Sequence, residues 1–119
     1  MGVFILLGPP GSGKGTQGRL LARSLGKGSV LLGMGELLRE EMSKGTQIGN
    51  ALWSIMKEGG LVSCELTMEV LRKNWPKDVE RHVILEGVPR SLEQIFALEK
   101  VFKEISTKML RKKYLYPLT

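Results

Sequence analysis

The stretch of this sequence with the clearest chemical potential is a loop in which glycines surround a lysine. Residues 3–7 are all apolar, and glycines follow at positions 8, 11, 13 and 15 around Lys14. This order predicts a strand that leads into a glycine-rich turn and then a helix. The backbone N–H groups of such a turn surround phosphate oxygens, and the lysine reaches the outer phosphates. The spacing therefore predicts a P-loop and a phosphorylated ligand.

The residue after the lysine departs from the common P-loop pattern. That pattern has Ser or Thr there, whose hydroxyl holds Mg²⁺, whereas this chain has Gly15, with Thr16 one place later. A metal held largely through waters and substrate phosphates is compatible with the displaced hydroxyl. The alternative is a glycine-rich turn that serves only tight strand-to-helix packing. The combination of strand, glycines, lysine and helix favours the phosphate-binding interpretation.

Composition limits the architecture and the classes of partner. The chain has 119 residues, 42% of them hydrophobic, which predicts one domain over residues 1–119. Its net charge of +6 is compatible with any anionic partner. Aromatic residues make up 6% of the chain and do not alternate with Lys and Arg, so we expect no nucleic-acid partner.

Cysteine content and hydropathy bear on the compartment. Cys64 is the single cysteine, so no internal disulfide can form, and we expect a reducing, cytoplasmic location. The apolar run at 3–7 is too short to span a membrane and lacks the flanks of a signal peptide, so we expect no membrane partner.

The elements that must position the loop follow from hydrophobic periodicity. The unbroken run at 3–7 predicts a strand covered on both faces of a parallel sheet, and 30–32 and 83–85 predict two more. Helices are predicted over 13–25, with Leu20, Leu21 and Leu25 inward, over 63–74 until Pro76 prevents continuation, and from Ser91 onward. The expected fold class is α/β, a three-layer α/β/α P-loop architecture with three to four parallel strands.

Two segments depart from a simple strand–helix alternation. Residues 35–60 read as two short helices separated by Gly45, which predicts a small helical insertion; we call residues 33–62 the flap. Residues 106–119 are basic and weakly patterned, and they form a divergent tail with at most one short strand at 114–116.

Four segments together resemble one known family. Residues 8–17, G-P-P-G-S-G-K-G-T-Q, look like the phosphate loop of nucleoside monophosphate kinases, the adenylate kinase and UMP-CMP kinase group. Residues 35–39, G-E-L-L-R, look like that family's G-D-L-L-R. Residues 86–91, E-G-V-P-R-S, followed by Gln94, look like its D-G-F-P-R-T with a later glutamine, and residues 60–62, G-L-V, stand where the family has G-x-L-V before a helix. The resemblance extends from residue 2 to about residue 102. The chain is shortened relative to the family and lacks a recognisable lid and C-terminal part.

The resemblance implies an activity and a set of site residues. The activity is reversible transfer of the γ-phosphoryl group of Mg-ATP to a nucleoside monophosphate, with AMP expected, by a monomer. The implied catalytic residues are Lys14 and Arg90. The implied ATP phosphate-binding residues are Pro10, Gly11, Ser12, Gly13, Lys14, Gly15 and Thr16. The implied monophosphate-binding residues are Met34, Gly35, Leu38, Arg39, Val62, Gly87, Arg90 and Gln94. Thr16 and Glu86 are the implied Mg²⁺ residues, acting through water.

Several of these residues also have a purely structural interpretation. Arg39 could be a solvated helix residue, and Arg90 a surface-loop arginine, although it follows a predicted strand at the edge where open α/β sheets bind ligands. Ser91 and Gln94 have the spacing of a capping box, in which the glutamine turns back to the Ser91 N–H. Met34 stands where the family varies with base preference, so the base remains open.

Two hypotheses from different classes follow. The first is the monophosphate kinase described above. The second is a shortened relative that binds nucleotide with little or no catalysis, because phosphoryl transfer depends on cations over the transferring group, which the family supplies from its lid.

Overall fold

A computed structural model of the chain describes residues 2–8, 13–26, 28–77 and 81–110, with side chains up to residue 105. The elements in chain order are β1 Val3–Leu6, α1 Lys14–Leu25, β2 Ser29–Gly33, α2 Met34–Ser43, α3 Gln47–Lys57, α4 Cys64–Asn74, β3 His82–Glu86 and α5 Leu92–Leu110. The contacts divide the chain into a first unit, Met1–Val88, and a second unit, Pro89–Thr119. The prediction of a single domain stays a prediction. No helix in the described ranges has the length and apolarity to cross a membrane.

The sheet of the first unit is parallel and three-stranded, in the order β1-β3-β2. The α/β class and the three predicted strands are confirmed. The central strand, β3, carries the most deeply buried run, because Val83, Ile84 and Leu85 are all inaccessible to solvent. In register, Glu86 at the end of β3 lies opposite Leu6 of β1 and Gly33 of β2. The carboxyl ends of all three strands therefore meet at one edge.

The burial predicted for the first strand is wrong. Phe4 and Ile5 are 36% and 39% exposed, and Leu7, just beyond the strand, is more exposed still. Among the described residues β1 pairs with β3 alone, and α1 packs mainly over β2 and β3, so the faces of β1 receive less cover. An unbroken apolar run is typical of a strand with both faces covered. In this structure β3, rather than β1, is covered in that way.

Helix α1 packs on the sheet through the face that carries Leu21 and Leu25, as predicted, whereas the inward position predicted for Leu20 is wrong. Leu20 is 55% exposed, whereas Leu21 and Leu25 are half-buried and Gly18 is the buried residue. A Cβ placed on Gly18 would lie 3.0 Å from Leu6 Cδ1 and 3.2 Å from Leu31 Cδ1. The closest approach of α1 to the sheet is therefore at this glycine, which hydrophobic periodicity does not register.

The flap forms as two helices, α2 and α3, as predicted. Helix α2 starts at Met34, directly after β2, so no loop separates the strand from the flap. Thr46 caps α3 by accepting a hydrogen bond from the Gly49 N–H at 3.0 Å. A Cβ on Gly49 would lie 2.2 Å from the Glu41 carbonyl oxygen, so the backbones of α3 and α2 are packed directly against each other at this point.

The remaining helices also form where the sequence predicts them. Ser63 caps α4 by accepting from the Leu66 N–H at 3.1 Å, and α4 ends at Asn74, before Pro76. In the second unit, α5 extends to Leu110, which is beyond the end of its apolar stripe at Ile105. The start of the predicted tail therefore continues the helix. Residues 111–119, with the strand predicted at 114–116, lie outside the described residues.

Candidate functional site

The phosphate loop meets α1 at a residue with left-handed backbone geometry. Gly13 has φ +86°, a value that side-chain-bearing residues rarely adopt, and its carbonyl accepts from the Gln17 N–H at 3.0 Å. The first turn of α1 begins at Lys14, so the N–H groups of Lys14, Gly15 and Thr16 have no hydrogen-bond partner within the helix. Such helix starts attract anions. Pro10, Gly11 and Ser12 lie outside the described residues, and their phosphate contacts stay predictions.

The structure brings together two of the predicted site residues, Lys14 and Glu86. Lys14 Nζ lies 3.2 Å from Glu86 Oε1, and the side chains are 12% and 27% exposed. Lys14 starts the helix after β1, and Glu86 ends the central strand. The register of the sheet therefore places an ammonium and a carboxylate at the edge where parallel α/β sheets bind ligands.

A second carboxylate, that of Glu36, lies near Glu86. A Cβ placed on Gly33 would lie 3.7 Å from Glu86 Oε2 and 3.9 Å from Glu36 Cδ. The two acidic groups thus converge on the junction between β2 and α2. The sequence predicts no site role for Glu36; the signal that could have found it is the strand that runs directly into a helix carrying an acidic residue in its first turn.

These residues fit a magnesium ion held through water. Glu86 and Glu36 supply carboxylate oxygens and Thr16 a hydroxyl, all of which are hard oxygen donors. Thr16 is exposed, and its Oγ1 accepts from Arg19 Nη2 at 3.5 Å. Within the part of the chain that the structure describes, no three His, Cys, Asp or Glu residues form a direct metal cage. The magnesium role of these residues stays a prediction.

The acceptor residues predicted on the flap fall on α2 and just after α3. The Arg39 guanidinium folds back along α2, with Nη1 3.3 Å from the position of a Cβ on Gly35. Arg39 is exposed, Leu38 and Val62 are half-buried, and Met34 is buried. An exposed guanidinium is free to reach a phosphate, whereas the buried Met34 has little surface to offer a base. The roles of all four residues stay predictions.

Gly87 follows the last residue of β3 and belongs to the first unit. Arg90 and Gln94 belong to the second unit. Gly87 has φ +86° directly after β3. The Gln94 N–H donates to Ser91 Oγ at 3.2 Å, so Ser91 caps α5 as expected. Gln94 Oε1 accepts from the Arg90 N–H at 2.6 Å, one residue earlier than the Ser91 N–H of a standard capping box. The capping interpretation of Gln94 thus has a direct observation behind it, and its contact with a base stays a prediction.

Sequence reasoning missed a buried carboxylate in the flap. Glu41 of α2 is fully buried, and its Oε1 accepts from Lys73 Nζ of α4 at 2.5 Å and from Thr46 Oγ1 at 3.0 Å. Hydrogen bonding from Lys73 lowers the pKa of Glu41, desolvation opposes that shift, and Thr46 and the Lys44 charge reinforce it. One signal was available, because Glu41 occupies a position in the apolar stripe of α2 that starts at Met34.

The sequence of this chain matches known proteins over most of its length. A family model described as adenylate kinase matches residues 6–113. An adenylate kinase of Thermus thermophilus is 40% identical over 106 residues, which is 89% of this chain and 54% of the relative. An adenylate kinase of Prochlorococcus marinus subsp. pastoris is 43% identical over 103 residues, or 87% and 54%. An adenylate kinase of Archaeoglobus fulgidus is 37% identical over 107 residues, or 89% and 48%.

This chain spans about half the length of the curated relatives that it matches. The matched half includes the phosphate loop, the flap and the strand that ends in Glu86. The geometry at the carboxyl edge of the sheet and the match over residues 6–113 agree with each other. The chain therefore belongs to the adenylate kinase family.

Proposed function

We propose that this chain carries a nucleoside monophosphate kinase site that transfers the γ-phosphoryl group of Mg-ATP reversibly to a nucleoside monophosphate, with AMP as the acceptor. The observation that carries the proposal is the position of Lys14, at the start of α1 and against Glu86, on the carboxyl edge of a parallel sheet. Family membership supports the same activity, since the relatives are named adenylate kinases.

The ATP phosphates would lie on the loop and on the first turn of α1. Backbone N–H groups of Gly13, Gly15 and Thr16, with those of Gly11 and Ser12, would donate to phosphate oxygens, and the Lys14 ammonium would neutralise the outer phosphates. Pro10 would shape the loop. The N–H groups of Gly13, Gly15 and Thr16 belong to the backbone at the start of α1, so they would need little reorganisation during the reaction.

Magnesium is the proposed cofactor, bound together with ATP. Glu86 and Thr16 would hold it through water, and Glu36, whose carboxyl lies near Gly33, would supply a third oxygen donor. When bound, the ion neutralises negative charge on the phosphates and orients them for in-line transfer. The residues of this chain supply the oxygens that hold its water shell.

The acceptor phosphate would be held by arginines. Arg39, exposed on α2, and Arg90, in the second unit, supply the planar guanidinium groups that bind phosphate in a bidentate manner. The proposed contacts to the rest of the monophosphate come from Met34, Gly35, Leu38, Val62, Gly87 and Gln94. The flap that carries most of them would close over the acceptor and exclude water, which protects the transferring group from hydrolysis.

A coupled assay for ADP formation from ATP and AMP tests the proposal. We expect turnover by the wild-type chain in the presence of Mg²⁺. The same assay with CMP, UMP and GMP as acceptors tests the preference for AMP. Purified protein that binds ATP but forms no ADP with any acceptor would contradict kinase activity.

The second candidate is nucleotide binding with little transfer. The chain spans about half the length of each of these relatives, so the assay tests the residues of this chain alone. Cations over the transferring phosphoryl group are worth about 10³ to 10⁵ in rate, so a site without them would bind ATP and turn over slowly. The coupled assay separates the two candidates, because both predict ATP binding and only the first predicts rapid ADP formation.

The remaining proposals concern location and assembly. A single cysteine and a nucleotide substrate favour a reducing, cytoplasmic compartment. A monomer without nucleic-acid or membrane partners stays a prediction. Measuring the molar mass by light scattering tests the monomeric state directly.

A further inference from the structure

We propose that Glu86 is a specificity-determining residue that makes this site prefer metal-bound ATP over metal-free ATP, because it competes with the phosphates for the Lys14 ammonium. The inference rests on the proposed function, in which Lys14 binds the ATP phosphates. It goes further, because it assigns the Glu86 carboxylate a second role, which is to weaken the binding of metal-free ATP.

The ion pair is well placed to compete. Lys14 Nζ and Glu86 Oε1 are 3.2 Å apart, and neither side chain is more than 27% exposed. Partial burial weakens solvent screening, so such a pair is stronger than one on an open surface. A phosphate that takes the Lys14 ammonium must break this contact or share it.

The backbone positions that carry Glu86 and Lys14 are fixed by the sheet and by the start of α1. Glu86 ends the central strand, in register with Leu6 on one side and Gly33 on the other. Lys14 is similarly fixed, since it follows the left-handed Gly13 and begins α1. The two side chains are therefore attached to neighbouring, fixed backbone positions and stay within reach of each other whether or not they are paired.

Charge then decides which nucleotide form binds. Metal-free ATP on Lys14 places several negative charges beside a carboxylate that has lost its counter-ion, and like charges repel at this distance. The Glu36 carboxyl, which converges on the same point beside Gly33, adds to the repulsion. When a divalent cation is bound with the nucleotide, Glu86 would face a positive charge in place of the Lys14 ammonium. Metal and nucleotide binding are therefore positively coupled, and the coupling is reciprocal.

The test measures ATP affinity by titration calorimetry, once with EDTA and once with excess Mg²⁺, at constant ionic strength. We expect wild-type protein to bind Mg-ATP about tenfold more tightly than metal-free ATP, which corresponds to about 1.4 kcal/mol of coupling. Glu86→Gln keeps the shape of the side chain and removes its charge. We expect it to bind metal-free ATP about tenfold more tightly than wild type and to lose most of the preference for Mg-ATP.

Two further variants control the experiment. Glu40→Gln removes one negative charge from an exposed position on α2 and should leave both affinities at their wild-type values. Glu86→Asp keeps the charge but draws it back by one methylene, so metal-free ATP should bind with an affinity between those of wild type and Glu86→Gln. This intermediate variant provides the comparison should Glu86→Gln fail to fold, which circular dichroism would show.

The outcomes are separable. Wild-type protein that binds both forms of ATP equally, or a Glu86→Gln or Glu86→Asp variant that binds metal-free ATP no more tightly than wild type, would overturn this inference and leave the kinase site intact. Wild-type protein that binds neither form would instead contradict the proposed function. A gain in metal-free affinity that Glu40→Gln shares would attribute the effect to net charge rather than to Glu86.

Discussion

Lys73 Nζ lies 2.5 Å from Oε1 of Glu41, and this contact joins α4 to α2 at a carboxylate that no solvent reaches. Thr46, the cap of α3, donates to the same oxygen at 3.0 Å, so three helices meet at one side chain. Oε2 is buried without a hydrogen-bond partner in the described residues, and Lys44 Nζ lies 3.7 Å from it. A buried charge of this kind depends strongly on the partners that it has.

Removal of Lys73 should therefore destabilise the protein. Lys73→Met leaves the Glu41 carboxylate buried without its nearest cation, and we expect a loss of about 2 kcal/mol, less than for a fully buried pair because the Lys73 side chain is 42% exposed. Urea denaturation at neutral pH measures the loss. Lys44→Met is the matched control, since its Nζ is farther away and more exposed, and its effect should be clearly smaller. Equal losses of stability in the two variants would contradict the larger contribution assigned to Lys73.

Glu41 should also contribute to the pH dependence of stability. Its pKa in the folded protein lies below its ordinary value of 4.5, mainly because of the Lys73 hydrogen bond. The unfolded chain therefore binds a proton first on acidification, so the contribution is complete above pH 4.5 and is lost as the pH falls through the lowered pKa. We expect Glu41→Gln to be less stable than wild type at neutral pH and to lose less stability on acidification. Urea midpoints across this range, with Glu40→Gln as the control, check the prediction.

The approach of α3 to α2 predicts a cost for any side chain at position 49. A Cβ there would lie 2.2 Å from the Glu41 carbonyl oxygen, a backbone atom that cannot move without shifting the helix. Gly49→Ala should lower the free energy of unfolding by about 2 kcal/mol, within the usual range for overpacking. Asn50→Ala, at an exposed neighbouring position of α3, should change it by less than about 0.5 kcal/mol. A neutral Gly49→Ala would show that the helices separate easily.

Lys14 should be essential for ATP binding and unimportant for folding. Lys14→Met removes the ammonium that the proposal assigns to the phosphates, and loss of a charge-assisted contact of this kind corresponds to about 10- to 100-fold in affinity. Calorimetry with Mg-ATP measures the loss, and thermal unfolding verifies the fold. Arg23→Met, an equal charge change at an exposed position in the last turn of α1, should bind ATP as wild type does. Unchanged ATP affinity in Lys14→Met would contradict the P-loop assignment.

The arginines should affect the acceptor more than the donor. Arg39→Lys and Arg90→Lys keep the charge but lose bidentate geometry, so each should raise the AMP concentration needed for half-maximal turnover by about tenfold. ATP affinity, measured separately, should remain close to wild type. An equal loss of ATP affinity would argue against the acceptor role of the residue concerned.

Much of the local structure follows from the sequence because it depends on neighbouring residues. The left-handed turn at Gly13, the caps at Ser63 and Ser91 and the end of α4 before Pro76 all depend on chemistry within a few positions. The P-loop spacing is also a local feature of this kind. Such features are set by backbone sterics and short hydrogen bonds, and a linear pattern records them completely.

The tertiary structure alone decided which distant residues meet. The central position of β3, the exposure of β1, the pairing of Lys14 with Glu86 and the burial of Glu41 against Lys73 depend on strand order and helix packing. Residues of these pairs are far apart in the chain, and many partners would satisfy the same local pattern. The sequence by itself therefore predicted a phosphate loop and a helical flap, and the three-dimensional packing decided which charged side chains meet.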